Sequence, residues 1–109
     1  MIDVPERTKM QEAIILLLKN KLTWDEFDDY YSNLETKDLA VYEIGWYFWV
    51  AMDPEYPSNK PYIKKGIIFR SILFLLSTCE YTRKSRDEEY WPFAEKINYS
   101  AECKKMEVI

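Results

Sequence analysis

A chain of 109 residues with 48% hydrophobic and 31% charged side chains but only two glycines holds enough apolar material for one core and little turn material. This points to a single α-helical domain over residues 1–109. Histidine is absent, which removes Ser-His-Asp and Cys-His catalysis, and two glycines cannot build the phosphate loops G-x-x-x-x-G-K-[ST] or G-x-G-x-x-G. The net charge of −4 is uneven: residues 1–59 hold five Lys/Arg against twelve Asp/Glu, and residues 60–109 hold ten against seven.

The opening Met1-Ile2-Asp3-Val4-Pro5-Glu6 has no basic region of the kind that precedes a secretion signal. The longest apolar stretch, Gly66 to Cys79, contains Arg70 and falls short of the roughly 18 to 20 residues that span a bilayer. A cytoplasmic protein without a membrane partner is expected, with Cys79 and Cys103 as free thiols in a reducing compartment.

The first helix is expected to start near Pro5, with Glu6 in its opening turn and Lys19, Asn20 and Lys21 at its close. Met10, Ile14, Leu17, Leu18 and Leu22 give its apolar spacing. Thr23-Trp24-Asp25-Glu26 reads as a capping box that opens a short second helix ending near Asn33. Trp24, Phe27, Tyr30 and Tyr31 follow helical spacing there, with Asp25, Glu26, Asp28 and Asp29 on the other side.

Thr36 is expected to cap a third helix that runs to about Met52, where Asp53-Pro54 and Pro57-Ser58-Asn59 impose a loop. Leu39, Tyr42, Trp46, Trp49 and Val50 form its stripe, widened by Val41, Ile44 and Phe48, which marks a central helix. Gly45, unfavourable in a helix by about 1 kcal/mol, suggests a close crossing. The alternative is a buried strand over residues 41–50, which would make the fold α+β. Pro61 is expected to open a fourth helix to about Thr78, with Ile67, Ile68, Ile72, Leu73, Leu75 and Leu76 inward. Ser85-Arg86-Asp87-Glu88 offers a second capping box before a helical turn stopped by Pro92, and Ser100 to Glu107 suggests one more helix. The resulting fold class is all-α, a compact bundle of four to five helices centred on the third and fourth.

The carboxylates crowd helix starts, where they favour the dipole, rather than converging as paired acids or metal ligands must. No cofactor or metal is expected. The basic cluster Arg83-Lys84-Ser85-Arg86, with Lys60, Lys64 and Lys65, sits in a chain of pI near 4.9, so nucleic acid is not an expected partner.

Aromatic content is the positive signal. Four Trp, nine Tyr and five Phe exceed what one small core encloses, and Tyr and Trp supply many binding hot spots. Tyr42, Trp46, Phe48, Trp49, Phe69 and Phe74 are expected in the core. Trp24, Asp25, Asp28, Asp29, Tyr30, Tyr31, Tyr90 and Trp91 are the candidate partner-binding residues, on an acidic aromatic face suited to a basic protein partner. The reading is a non-catalytic protein-binding module. The alternatives are a homodimer formed through the same aromatic surface, a carboxylate-based metal protein or enzyme using Asp25, Asp28, Asp29 or Glu88, and nucleic-acid regulation through Arg83, Lys84 and Arg86.

Residues Ile72 to Ile97 combine an apolar helix ending in F-L-x-S at Phe74, Leu75 and Ser77, an E-Y pair at Glu80 and Tyr81, and an acidic turn leading to Tyr90, Trp91 and Pro92. This pattern resembles segments of small helical bacterial immunity and accessory proteins that neutralise partner toxins, and of uncharacterised bacterial families. Here the insert Thr82 to Asp87 sets its two halves further apart. The resemblance implies stoichiometric inhibition by occlusion, without turnover.

Overall fold

The computed structural model describes residues 1–81 and 91–93, and the predicted helical segments after Ser85 and Ser100 lie outside them. Among the described residues are four α-helices, α1 (Val4–Leu18), α2 (Trp24–Ser32), α3 (Leu39–Ala51) and α4 (Lys65–Leu76), and no strand. The all-α expectation holds, and residues 41–50 lie within α3 rather than in a strand. No helix among the described residues is long and apolar enough to cross a membrane.

Each helix boundary has a local chemical cause. The Asp3 carboxylate accepts the Glu6 N–H at 3.1 Å to start α1, with Pro5 in the first turn. At its other end Asn20 adopts φ 58°, the left-handed conformation that asparagine tolerates better than most residues. The Lys21 N–H then reaches the Leu16 carbonyl and the Asn20 N–H that of Leu17, which closes the helix in a Schellman pattern. The capping box of α2 forms as its sequence predicts: the Thr23 hydroxyl accepts the Glu26 N–H, and Glu26 Oε1 accepts the Thr23 N–H. The Thr23 N–H and then the Thr23 hydroxyl, which also donates to Glu26 Oε1 at 2.9 Å, hold the Glu26 carboxyl below its ordinary pKa.

The α3 start departs from expectation. Asp38, not Thr36, is the N-cap, accepting the Ala40 N–H, while Thr36 Oγ1 accepts the Asp38 N–H and donates to Asp3. The buried stripe is Ala40, Val41, Ile44, Gly45, Phe48 and Ala51, whereas Leu39 and Trp46, placed in the expected stripe, are exposed. Small residues decide this, because α3 packs against all three other helices and close approach favours the face carrying Ala40, Gly45 and Ala51. A Cβ on Gly45 would lie 2.5 Å from Met10 Cε and 3.0 Å from Tyr31 Cε2, so the predicted close crossing is present.

Pro61 does not open α4. It lies inside a 3-10 segment, Pro57–Tyr62, and α4 begins at Lys65. Prolines at 57 and 61 suit the tighter turn, which does not require their missing N–H groups in an α-helical ladder. Helix α4 buries Gly66, Ile67, Arg70, Ser71, Phe74 and Leu75, while Leu73 and Leu76, expected inward, are 48% and 60% exposed. Packing on one side buries only one stripe of a helix that is apolar around much of its circumference.

A polar knot ties these elements together. Arg7 Nε and Nη2 donate to the two oxygens of Asp38, both side chains being buried, and Arg7 Nη1 donates to the Ser77 carbonyl at 3.1 Å. Asp38 also accepts the Asp3 N–H at 3.0 Å. The guanidinium lies 5.2 Å from the Phe74 ring centroid. Burial alone would raise the Asp38 carboxyl, but the Arg7 hydrogen bond, the Asp3 N–H, the Arg7 charge and the Ala40 N–H outweigh it and hold its pKa below the ordinary value.

Candidate functional site

Helices α2 and α3 lie side by side and bring an aromatic sheath together. Trp24 Nε1 donates to the Trp49 carbonyl at 2.9 Å, and the two rings sit 5.8 Å apart. Trp49 Nε1 donates to Asp28 Oδ1 at 2.7 Å, and Tyr31 stacks on the Trp49 ring at 6.0 Å. Of the predicted site residues, Trp24, Asp28 and Tyr31 thus converge around Trp49, each half-buried, while Asp25 and Asp29 are exposed on α2. Asn33 Nδ2 donates to the Asp29 carbonyl at 2.7 Å, closing the helix end.

Tyr30 is committed elsewhere. Its hydroxyl donates to Glu6 Oε2 at 2.8 Å, linking α2 to α1. Burial, then the Glu6 hydrogen bond and charge, then the charge of Asp3, push the Tyr30 hydroxyl far above its ordinary pKa. Tyr31 moves the same way through burial and then the neighbouring charge of Glu43.

Trp91, predicted as a partner-binding residue, is 3% exposed. Its ring stacks on Tyr81 at 3.7 Å and meets the edge of Phe74 at 5.0 Å. A flat apolar ring beside the Phe74 end of α4 is better accommodated there than in water. Phe74, Tyr81 and Trp91, all within the segment Ile72 to Ile97, therefore form one buried aromatic cluster. Tyr90 lies outside the described residues, as do Arg83, Lys84, Arg86, Glu88 and Cys103. Cys79 is a free, exposed thiol.

Besides Leu39, Leu73 and Leu76, Trp46 departs from expectation: placed in the core by its spacing, it is 52% exposed. At 100° per residue it lies on the pole of α3 opposite Ile44 and Phe48. A signal for this exists in the sequence. Glu43 is the one charged residue of α3, so it marks the water-facing side, and Trp46 lies next to it one turn on. Trp46 lines two open cavities. One, of about 300 Å³, is walled by Tyr31, Tyr42, Glu43 and Trp46; the other, of about 160 Å³, by Trp46, Tyr47, Val50, Ala51 and Asn59. Tyr42 is fixed in the first wall, its hydroxyl donating to the Leu34 carbonyl at 2.8 Å and accepting the Thr36 N–H at 3.2 Å.

The chain that carries α2 and α3 is acidic in composition: from Leu22 to Asn59 it holds nine Asp/Glu and a single cation, Lys37, and Lys60 follows in the 3-10 segment that packs against α3. Asp38 is neutralised by Arg7, but no ion pair among the described residues involves Asp25, Asp28, Asp29 or Glu43. Among the described residues no group of three or more His, Cys, Asp or Glu side chains converges as metal ligands would. Chemically, the face offers ring surfaces, unpaired carboxylates and an exposed indole, which suits recognition of a cationic, partly apolar surface. Set against protein-family models, curated proteins and solved structures, the chain matches none.

Proposed function

We propose that this chain is a non-catalytic protein-binding module that docks a basic protein partner through the acidic aromatic face of α2 and α3, acting as a stoichiometric inhibitor of the immunity type. The observation that carries the reading is Trp46, half-exposed between two cavities on a stretch of chain with one cation. An exposed tryptophan flanked by concave surface and unpaired carboxylates is the chemistry of a binding anchor, with long-range charge to steer a basic partner. The inhibitor reading rests on the resemblance of residues Ile72 to Ile97 to immunity-type segments. Self-association through the same face is disfavoured, because it sets two acidic surfaces against each other.

The test is Trp46→Ala, which leaves the buried face of α3 intact. Tyr30 and Tyr31 are less suitable, since they hold Glu6 and pack beside Gly45. A partner captured by the parent chain at low salt is expected to release at high salt and to bind Trp46→Ala at least about tenfold more weakly, in keeping with a loss of 1.4 kcal/mol or more at a hot spot. Thermal melting should be unchanged. Equal capture by parent and variant would remove this face from the interaction.

A further inference from the structure

We propose that the cavity walled by Tyr31, Tyr42, Glu43 and Trp46 is an aromatic cage for an alkylammonium group, occupied in the docked complex by a lysine side chain of the basic partner. Three aromatic rings and a carboxylate around one concavity form the arrangement that attracts a cation, because ring faces carry negative quadrupolar charge. Glu43 supplies the formal charge, and no ion pair among the described residues neutralises it. Its field is already felt inside the site, where it helps raise the Tyr31 hydroxyl.

Two walls are built before any ligand arrives. Tyr31 is held by its stacking on Trp49, by contact with the α3 backbone at Gly45 and by donation to the Tyr42 carbonyl at 3.3 Å. Tyr42 is held by Leu34 and Thr36. Trp46, 52% exposed, forms the outer wall. A volume of about 300 Å³ lies at the bottom of the small-ligand range, which fits one side chain better than a cofactor. The choice of lysine follows from charge: a compact ammonium on an apolar stem satisfies both the carboxylate and the rings.

This inference deepens the docking reading and depends on it for the source of the ammonium. The probe is n-butylammonium, followed through the Trp46 indole N–H resonance, which Trp46→Phe assigns among the signals of the four tryptophans. A saturable shift with half-saturation on the order of 10 mM is expected, given the small size of the probe. Glu43→Gln should weaken it about three- to fivefold, the scale of one partly exposed charge pair. Butanol, equal in shape and uncharged, should leave the resonance in place. An indole that ignores butylammonium, or that responds equally to butanol, overturns the cage. If Trp46→Ala still abolishes capture in that case, the docking face stands and only the cage falls. If butylammonium binds but Trp46→Ala captures the partner like the parent, the assignment of the ammonium to the partner's lysine is overturned.

Discussion

Removing the Arg7 side chain would leave the Asp38 carboxylate buried without its counter-charge, and removing Asp38 would leave the guanidinium in the same position. Arg7→Ala is therefore expected to cost about 3–5 kcal/mol in urea-induced unfolding. Replacing both residues by apolar side chains of like size often restores stability to a simple buried pair. Here it should not, because the Asp3 and Ala40 N–H groups and the Ser77 carbonyl would each lose a partner, at about 1–3 kcal/mol apiece. A double variant as stable as the parent would show that these backbone groups find other partners. The lowered pKa of Asp38 also sets a pH dependence. Its folded value lies below the ordinary 3.8, so its stabilisation is complete above that value and is lost as pH falls through the lower folded one. Glu26 acts in the same direction. Acid titration of stability should consequently flatten in Asp38→Asn relative to the parent, a comparison that equilibrium melts at stepped pH can make. Neither Arg7 nor Asp38 was legible as a buried pair in the sequence, although Arg7 occupies the same register as Met10, Ile14 and Leu17, which was the available signal.

At the level of elements, what could be read depended on whether the determining contact was local. The capping box of α2 lies within four consecutive residues and formed as predicted. The α3 cap bond, Ala40 N–H to Asp38, is itself local, but what holds the Asp38 carboxylate in place is Arg7 and the Asp3 N–H, far away in sequence, and Thr36 was favoured wrongly. The wide apolar circumference of α3 likewise left its buried face undecided until the crossing with α1 and α2 fixed it. Gly45 was the legible part, because a glycine in a helix interior has a propensity cost that close packing can explain. Gly45→Ala gains about 1 kcal/mol of helix propensity but forces Met10 and the Tyr31 ring to shift, an overpacking cost of about 1–3 kcal/mol. The methionine end is flexible and the ring, held by Trp49, is not, so a net loss of stability is expected in thermal melts. The displaced Tyr31 should also weaken butylammonium binding. A more stable Gly45→Ala variant would mean that the ring yields easily.

Across the whole molecule, the abundance of carboxylates and aromatic rings along α2 and α3 was legible from composition, but which rings face water was not. Trp46, expected inside, is exposed and Trp91, expected at the surface, is buried, because exposure depends on how the helices pack, and Trp91 finds Tyr81 and Phe74 through tertiary contact. Charge segregation remains the feature most accessible from sequence, and it sets how a partner would be steered. The Arg7 bond to the Ser77 carbonyl carries a further consequence for the order in which the chain assembles. Seventy residues separate donor and acceptor, so closing that loop has a large entropic cost and cannot precede synthesis of α4. While the chain is still emerging from the ribosome, α1, α2 and α3 can meet with Arg7 and Asp38 already paired, but Nη1 has no native acceptor until Ser77 has been made. The final hydrogen bond of the knot thus requires that α4 has been delivered, and only after that can Tyr81 and Trp91, made later still, close over Phe74.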